Sequence, residues 1–451
     1  MQDTQIRDFT KGNITKQLLT FAFPLFLSNL LQVVYNMVDM AIVGHVLGKA
    51  GTSAVSVGGD ISVLLTFVGI GFGNAGQVLI ARYIGAKEQD KIGKFVGTMC
   101  GFLMVCAAVI SVLGIVFQNK LLSLMNTPPE SYAGAASYSA ICMVGMVFIY
   151  GYNMVSAVLR GMGDAKHPLL FIGIAAVLNV ILDIVFVVWF DMGAGGAALA
   201  TVISQGISFL VSAGFLAKNS HRFSLVVTPR DFVHWDGAML SSLVKLGAPM
   251  AIKNASVQVS KLFVNSWVNS YGVEVSAFAG IANKVASVSN MISIAMNTAG
   301  STVVGQNLAA KEFERVKKVL GNLTVIMCSI ALALSAIIAL LPETVFGLFT
   351  EDKSVLTLAK PYVPIAILLF FGGATRAIMN ALLNGSGHYK INFVTAILDG
   401  IVMRIGLAVL FGLVLDFRHY GFWLGDALAG FTPFWIGVVF LVSGQWKKEP
   451  K

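Results

Sequence analysis

Apolar stretches of about twenty residues or more recur from residue 18 to residue 444, separated by short polar segments. A run of that length crosses a bilayer as a helix. The pattern predicts twelve such helices, at 18–43, 55–81, 95–117, 132–158, 168–190, 195–217, 240–268, 276–305, 319–341, 361–383, 391–415 and 421–444. Long runs with 46 Gly and only 11 Pro fit spanning helices and not a barrel.

The pattern is also written twice. AVLRGMGDAK at 157–166 returns 224 positions later as ALLNGSGHYK at 381–390, and IGAKE at 84–88 returns as LAAKE at 308–312. LLTFAFP at 18–24 matches LVKLGAP at 243–249 with an offset of 225. The chain of 451 residues is thus a tandem duplication with six spans in each copy. An even number of spans returns the chain to its starting side, so the copies run parallel. The expected fold is an all-α integral membrane protein, with twelve transmembrane helices in two six-helix lobes related by a pseudo-twofold axis along the membrane normal. The expected divisions are an N-terminal lobe at 1–217, a cytoplasmic linker at 218–240 and a C-terminal lobe at 241–451.

Composition agrees with a membrane protein: 56% of the residues are hydrophobic and 12% charged, against roughly 25% charged in soluble domains. The loops of one side hold only Lys49, Lys120, Lys353, Lys360 and Arg418, and the other basic loop residues lie on the opposite side. The positive-inside rule then places both termini in the cytoplasm of a multi-pass plasma-membrane protein. The net charge of +9 follows from topology and calls for no nucleic-acid partner. No cleavable signal is expected, since residues 1–17 are polar and the first apolar run is long and contains Pro24. Cys100, Cys106, Cys142 and Cys328 fall within spans without metal or disulfide spacing, so packing is their expected role.

Polar groups within the spans carry the functional information, because each costs free energy in hydrocarbon. Asn29, Gln32, Asn36 and Asp39 form one helical stripe in span one. Its repeat is Asn254, Gln258, Lys261 and Asn265 in span seven, where Val264 stands in place of Asp39. Span five adds Asn179 and Asp183 on one face, opposite Met403 and Leu407 in the second copy. Asn153 and Thr201 supply further oxygens. Two carboxylates with amide and hydroxyl oxygens suit a proton or a hard cation such as Na⁺. The alternative is that Asp183 only accepts hydrogen bonds between helices.

The second half is basic, with Lys253, Lys261, Lys284, Arg376 and Arg404 in spans and Asp399 as the clearest acid. Five cations exceed what Asp399 neutralises, which points to a wetted cavity tolerant of anionic or zwitterionic groups; snorkelling is the alternative. Asp60 and Asp426 lie near span ends and are expected to be solvated. GFGNAG at 71–76 matches G-x-G-x-x-G, yet it lies in an apolar helix with no strand before it. Close helix packing explains it better than dinucleotide binding. No catalytic constellation is present, so the chain is not expected to be an enzyme and needs no cofactor beyond a coupling ion, H⁺ or Na⁺.

FAFPLFLSNLLQVVYNMVDMAIVGHVLG at 21–48, the AVLRGMGDAK segment and LNVILDIVF at 178–186 together resemble the multidrug and toxic compound extrusion (MATE) family, over nearly the whole chain. That resemblance implies a monomeric, lipid-embedded antiporter that exports drugs or other amphipathic small molecules by alternating access in exchange for H⁺ or Na⁺. The DinF-like branch places its cation site in the first lobe, which by motif implies Asp39, Asn179, Asp183 and Thr201, with Gln32 and Asn153 beside them. Other branches carry an acid in span seven, where this chain has Ser256. The competing expectation is a flippase of lipid-linked oligosaccharide or lipid, built on a related two-lobed architecture.

Overall fold

A computed structural model describes residues 5–449. Helices account for nearly all of them, and no strand occurs among the described residues. The long helices are α1 (Ile14–Gly85), α2 (Asp90–Leu124), α3 (Pro129–Val144), α4 (Met146–Gly161), α5 (Lys166–Asp183), α6 (Gly193–Lys218), α7 (Gly237–Asn269), α8 (Val273–Ala309), α9 (Phe313–Leu340), α10 (Ala359–Ser386), α11 (Tyr389–Val414) and α12 (Arg418–Val442). Among the described residues eight helices are long and apolar enough to cross a membrane, or nine with α3 and α4 taken as one span bent by 52°. The 72-residue α1 breaks at Gly48 and has the length of two spans. At 33 and 37 residues, α7 and α8 are also long enough, although their polar residues make them less apolar. The twelve spans of the hydrophobic pattern are thereby accounted for. Two features departed from it: spans one and two run on as one broken helix, and the fourth bends at Gly145.

The chain forms two compact units. One comprises Phe23–Ala251 and the segment ending at Asp8; the other comprises Phe9–Ala22 and Ile252–Lys451. Their limits fall beside Pro24 and Pro249, which the offset of 225 pairs. In the second unit Phe9 is buried and packs against Phe21, with ring centroids 5.3 Å apart and the planes tilted by 41°. Its carbonyl accepts from Asn307 Nδ2 at 3.1 Å and Arg315 Nε at 3.0 Å, while Arg315 also donates to the carbonyls of Lys11 and Gly12.

Backbone geometry repeats with the sequence. Left-handed residues occur in matched positions: Gly48 and Gly272, Lys87 and Lys311, Gly163 and Gly387, Asp191 and Asp416, Gly193 and Arg418. Lys87 and Lys311 both have φ of 60°, and both following Glu amides donate back to the preceding helix at 2.9 Å. A side chain in this conformation costs about 1–2 kcal/mol relative to Gly. Lys311→Gly is therefore expected to stabilise the protein by about 1 kcal/mol, read as a raised unfolding midpoint in detergent.

The offset is 224 at Gly387 and 225 at Asp416. Between them, Leu398–Val402 forms a π-helical turn with no counterpart in α5. A π turn holds one more residue than an α turn, which accounts for the change. Past that turn the partners are one residue further on than the pairing read from sequence. Asn179 corresponds to Arg404 and not Met403, and Asp183 to Ala408 and not Leu407.

In the first unit, Gly93, Gly97 and Gly101 line one face of α2, and the segment 219–236 lies directly on them. A Cβ at these positions would sit 2.1 Å from the Val226 carbonyl, 2.4 Å from Asp231 Cβ and 2.2 Å from the Phe232 carbonyl. Lys94 pairs with Asp236 at 2.8 Å, and Asp236 caps α7 by accepting from the amides of Ala238 and Met239. Gly97→Val is expected to lift this segment at a cost of about 2 kcal/mol, seen as new protease cleavage between residues 219 and 236.

Hydrogen bonds from Thr228 hold the Asp231 carboxyl below the usual range, and Lys94 with the α7 amides does the same for Asp236. A depressed folded-state value gives stabilisation that is present above the unfolded value and lost as pH falls through the folded one. Protection of the segment should thus hold at neutral pH and weaken only below about pH 4. Weakening between pH 6 and 8 would contradict the assignment.

GFGNAG belongs to the close packing of α1. A Cβ on Gly71 would meet the Ala251 backbone at 2.5 Å, and one on Gly247 would meet Phe72 at 2.3 Å. The motif therefore serves helix contact, with no strand before it.

Candidate functional site

In the first unit a cavity of about 550 Å³ opens beside α1, lined by Gln32, Tyr35, Asn36, Asp39, Asp60, Tyr138, Tyr152, Asn153, Thr201 and Gln205 among others. The stripe spacing in α1 explains its polarity, since Gln32, Asn36 and Asp39 lie within two turns on one side of the helix. Gln32 and Asn36 are exposed in it, whereas Asp39 is 8% exposed at its wall. Asn153 turns its amide back to the Ile149 carbonyl at 2.8 Å.

Behind the wall lies Asp183, fully buried at the last α-helical turn of α5, where the π turn Ile184–Trp189 begins. Its carboxyl lies within hydrogen-bonding reach of Asp39. Asn179, one turn earlier and also buried, donates to the Thr201 hydroxyl at 3.3 Å. Four buried oxygens here have no donor: Asp39 Oδ1, both Asp183 oxygens and Asn179 Oδ1. Two carboxylates in contact away from water repel unless a proton or a cation lies between them. Among the described residues no three His, Cys, Asp or Glu side chains gather as a metal site. The oxygen set here is of another kind, two carboxylates with an amide and a hydroxyl, which suits a monovalent hard cation or a proton.

Sequence reasoning assembled Asp39, Asn179, Asp183 and Thr201, and the structure brings these four together. It missed Tyr35, Tyr138, Tyr152 and Gln205 on the cavity wall, because aromatic and isolated polar residues in apolar helices give no spacing signal.

The second unit holds a different cluster. Asp399, buried in the π turn of α11, lies 3.3 Å from Arg404, 3.4 Å from Arg376 and 3.9 Å from Lys253. Lys253 donates to Asn380 at 2.7 Å, and Arg404 bonds Asp426 on its other side. Asp426 is therefore not solvated: α12 turns it inward to Arg404, with 19% of its side chain exposed. Asp60, in contrast, is exposed. Lys261 lies within electrostatic range of Asp426 and Arg404. Gln258 and Lys284 are exposed, and the structure brings neither into this group.

Part of this cluster occupies positions equivalent to polar residues of the first unit. An offset of 225 carries Asn36 onto Lys261, Asn179 onto Arg404 and Thr201 onto Asp426.

An all-helical membrane protein made of two repeats, with paired acids buried beside a polar cavity, has the build of a secondary transporter. The MatE family model matches residues 24–185 and 249–410, once in each repeat. The chain belongs to this family, the MATE transporters. It is 30% identical to the probable multidrug resistance protein YoeA of Bacillus subtilis, over 98% of this chain and 96% of that one. It is 29% identical to the probable multidrug resistance protein YpnP of the same organism, over 98% and 97%. An outward-facing multidrug resistance MATE transporter of the MOP superfamily superposes with a TM-score of 0.87 at 22% identity, covering 98% of both chains.

Proposed function

We propose that this protein is an H⁺- or Na⁺-coupled antiporter that exports amphipathic small molecules across the cytoplasmic membrane by alternating access, with both termini in the cytoplasm. The observation that carries the reading is the contact between Asp39 and Asp183, with four buried oxygens lacking donors beside an open cavity. Asp39 belongs both to that pair and to the cavity wall. An ion bound by the pair draws α1 and α5 together, and its loss lets the two carboxylates repel. The shape of the cavity next to Asp39 therefore depends on ion occupancy. Coupling requires only that ion and cargo favour different shapes of this wall, since equal affinities would shift nothing. The multidrug names of the relatives support small-molecule export as the activity.

The test is efflux from proteoliposomes under separately imposed Na⁺ and pH gradients, with a panel of cationic, neutral and anionic fluorescent amphiphiles. Export that accelerates with one inward ion gradient is expected. Export independent of both gradients would overturn the antiport assignment.

A further inference from the structure

The second unit gathers more positive charge than its own acids balance. Among the described residues, Lys253, Lys261, Arg376 and Arg404 face only Asp399 and Asp426, which leaves a net charge of +2. Snorkelling does not account for Arg404, which is 1% exposed and is held between two carboxylates. With Arg404 engaged by Asp426, the surplus falls on Arg376, Lys253 and Lys261. Lys253 is beyond hydrogen-bond length from Asp399, and Arg376 is at its limit. Both keep part of the side chain open, 18% for Lys253 and 22% for Arg376. The buried Nε atoms of Arg376 and Arg404 have no acceptor. Unbalanced like charges in a membrane interior are costly and mark functional sites.

The position adds a second argument. The repeat places Lys261, Arg404 and Asp426 where the first unit has Asn36, Asn179 and Thr201. Neutral oxygen donors in one copy have become charged groups in the other, with two cations for each acid gained. The same place in the fold that suits a small cation in the first unit thus presents donors for an anion in the second.

We propose that Arg376, Lys253, Lys261 and Arg404 form a site for an anionic oxygen group, a phosphate or carboxylate, of the transported molecule. This rests on the transport reading, since it names the class of cargo. The cargo is then anionic or zwitterionic, and a simple organic cation is disfavoured by the surplus charge. Arg376 supplies a planar fork for two oxygens, while Lys253 and Lys261 add rotatable point charges. Asp399 keeps the empty site from accumulating the full repulsion of its cations.

The test is equilibrium binding to the full chain in an uncharged detergent, using three probes with the same twelve-carbon tail: dodecyl phosphate, dodecanoate and dodecyltrimethylammonium. Both anions are expected to bind at least about ten-fold more tightly than the ammonium. Arg376→Gln and Lys261→Gln should each remove most of that preference, whereas Arg376→Lys should keep part of it. Lys261→Gln gives the cleaner result, since it breaks no close ion pair with Asp399 or Asp426, and its unfolding midpoint should stay at the parental value. Displacement of dodecyl phosphate by inorganic phosphate would assign a soluble anion, and lack of displacement an amphiphile headgroup; both fit the site. Equal or tighter ammonium binding would overturn the proposal, as would a folded Lys261→Gln variant with undiminished preference. Binding needs no ion gradient and should survive Asp39→Asn. Loss of coupled export alone would therefore strike the transport reading and leave the anion site standing.

Discussion

Asp39→Asn and Asp183→Asn are each expected to reduce ion-driven export to the leak rate of protein-free liposomes, without loss of folded protein. In the proposed mechanism the pair cycles between an ion-bound and an ion-free state, and an amide cannot change its charge. The amide of either variant can donate to the remaining carboxylate, so the buried oxygens gain a donor that they now lack. Removing one of two apposed acids also relieves repulsion. The unfolding midpoint should therefore stay level or rise while transport falls. That opposite movement separates a coupling role from a merely structural one. Undiminished gradient-driven export in both variants would remove the pair from the mechanism, and a steep fall in stability would point to a packing role instead.

The largest expected effect on stability is that of Arg404→Met. Arg404 is almost fully buried and joins Asp399 to Asp426. Its removal leaves Asp426 without its partner and Asp399 with one cation fewer. Breaking a buried ion pair from one side costs about 3–5 kcal/mol, because the surviving charge stays desolvated. A lowered unfolding midpoint in detergent is expected, with partial recovery in the double variant Arg404→Met, Asp426→Asn, where that acid is no longer charged. A loss below about 1 kcal/mol would show that water already reaches the cluster.

Much of this architecture was legible because a bilayer imposes length. Runs of about twenty apolar residues mark spans whatever packs around them, and the doubled AVLRGMGDAK segment gave the two repeats. The stripe Gln32, Asn36, Asp39 was legible from helical spacing, as was the shared face of Asn179 and Asp183. The contact of Asp39 with Asp183 was not, since they lie on helices whose relative placement no spacing encodes. Asp426 was misjudged because nearness to a span end says nothing of the direction it faces, and here Arg404 draws it inward. The pairing of Asn179 with Arg404 was hidden by one residue. An extra position in a π turn keeps the apolar pattern intact, so Met403 and Arg404 were equally good partners until the turn at Leu398–Val402 was located. The division beside Pro24 and Pro249 was equally silent, because a proline marks a bend without saying which unit each side joins.

The most direct test of antiport reverses the usual assay. In an antiporter, a cargo gradient alone must drive the coupling ion the other way. Proteoliposomes loaded with a transported amphiphile, with equal Na⁺ and pH on both sides and membrane potential clamped, are followed with an interior pH dye or radioactive Na⁺. Antiport predicts ion uptake against its own equilibrium as cargo leaves, and none with Asp39→Asn or Asp183→Asn. Cargo leaving at the full rate with neither H⁺ nor Na⁺ entering would contradict it.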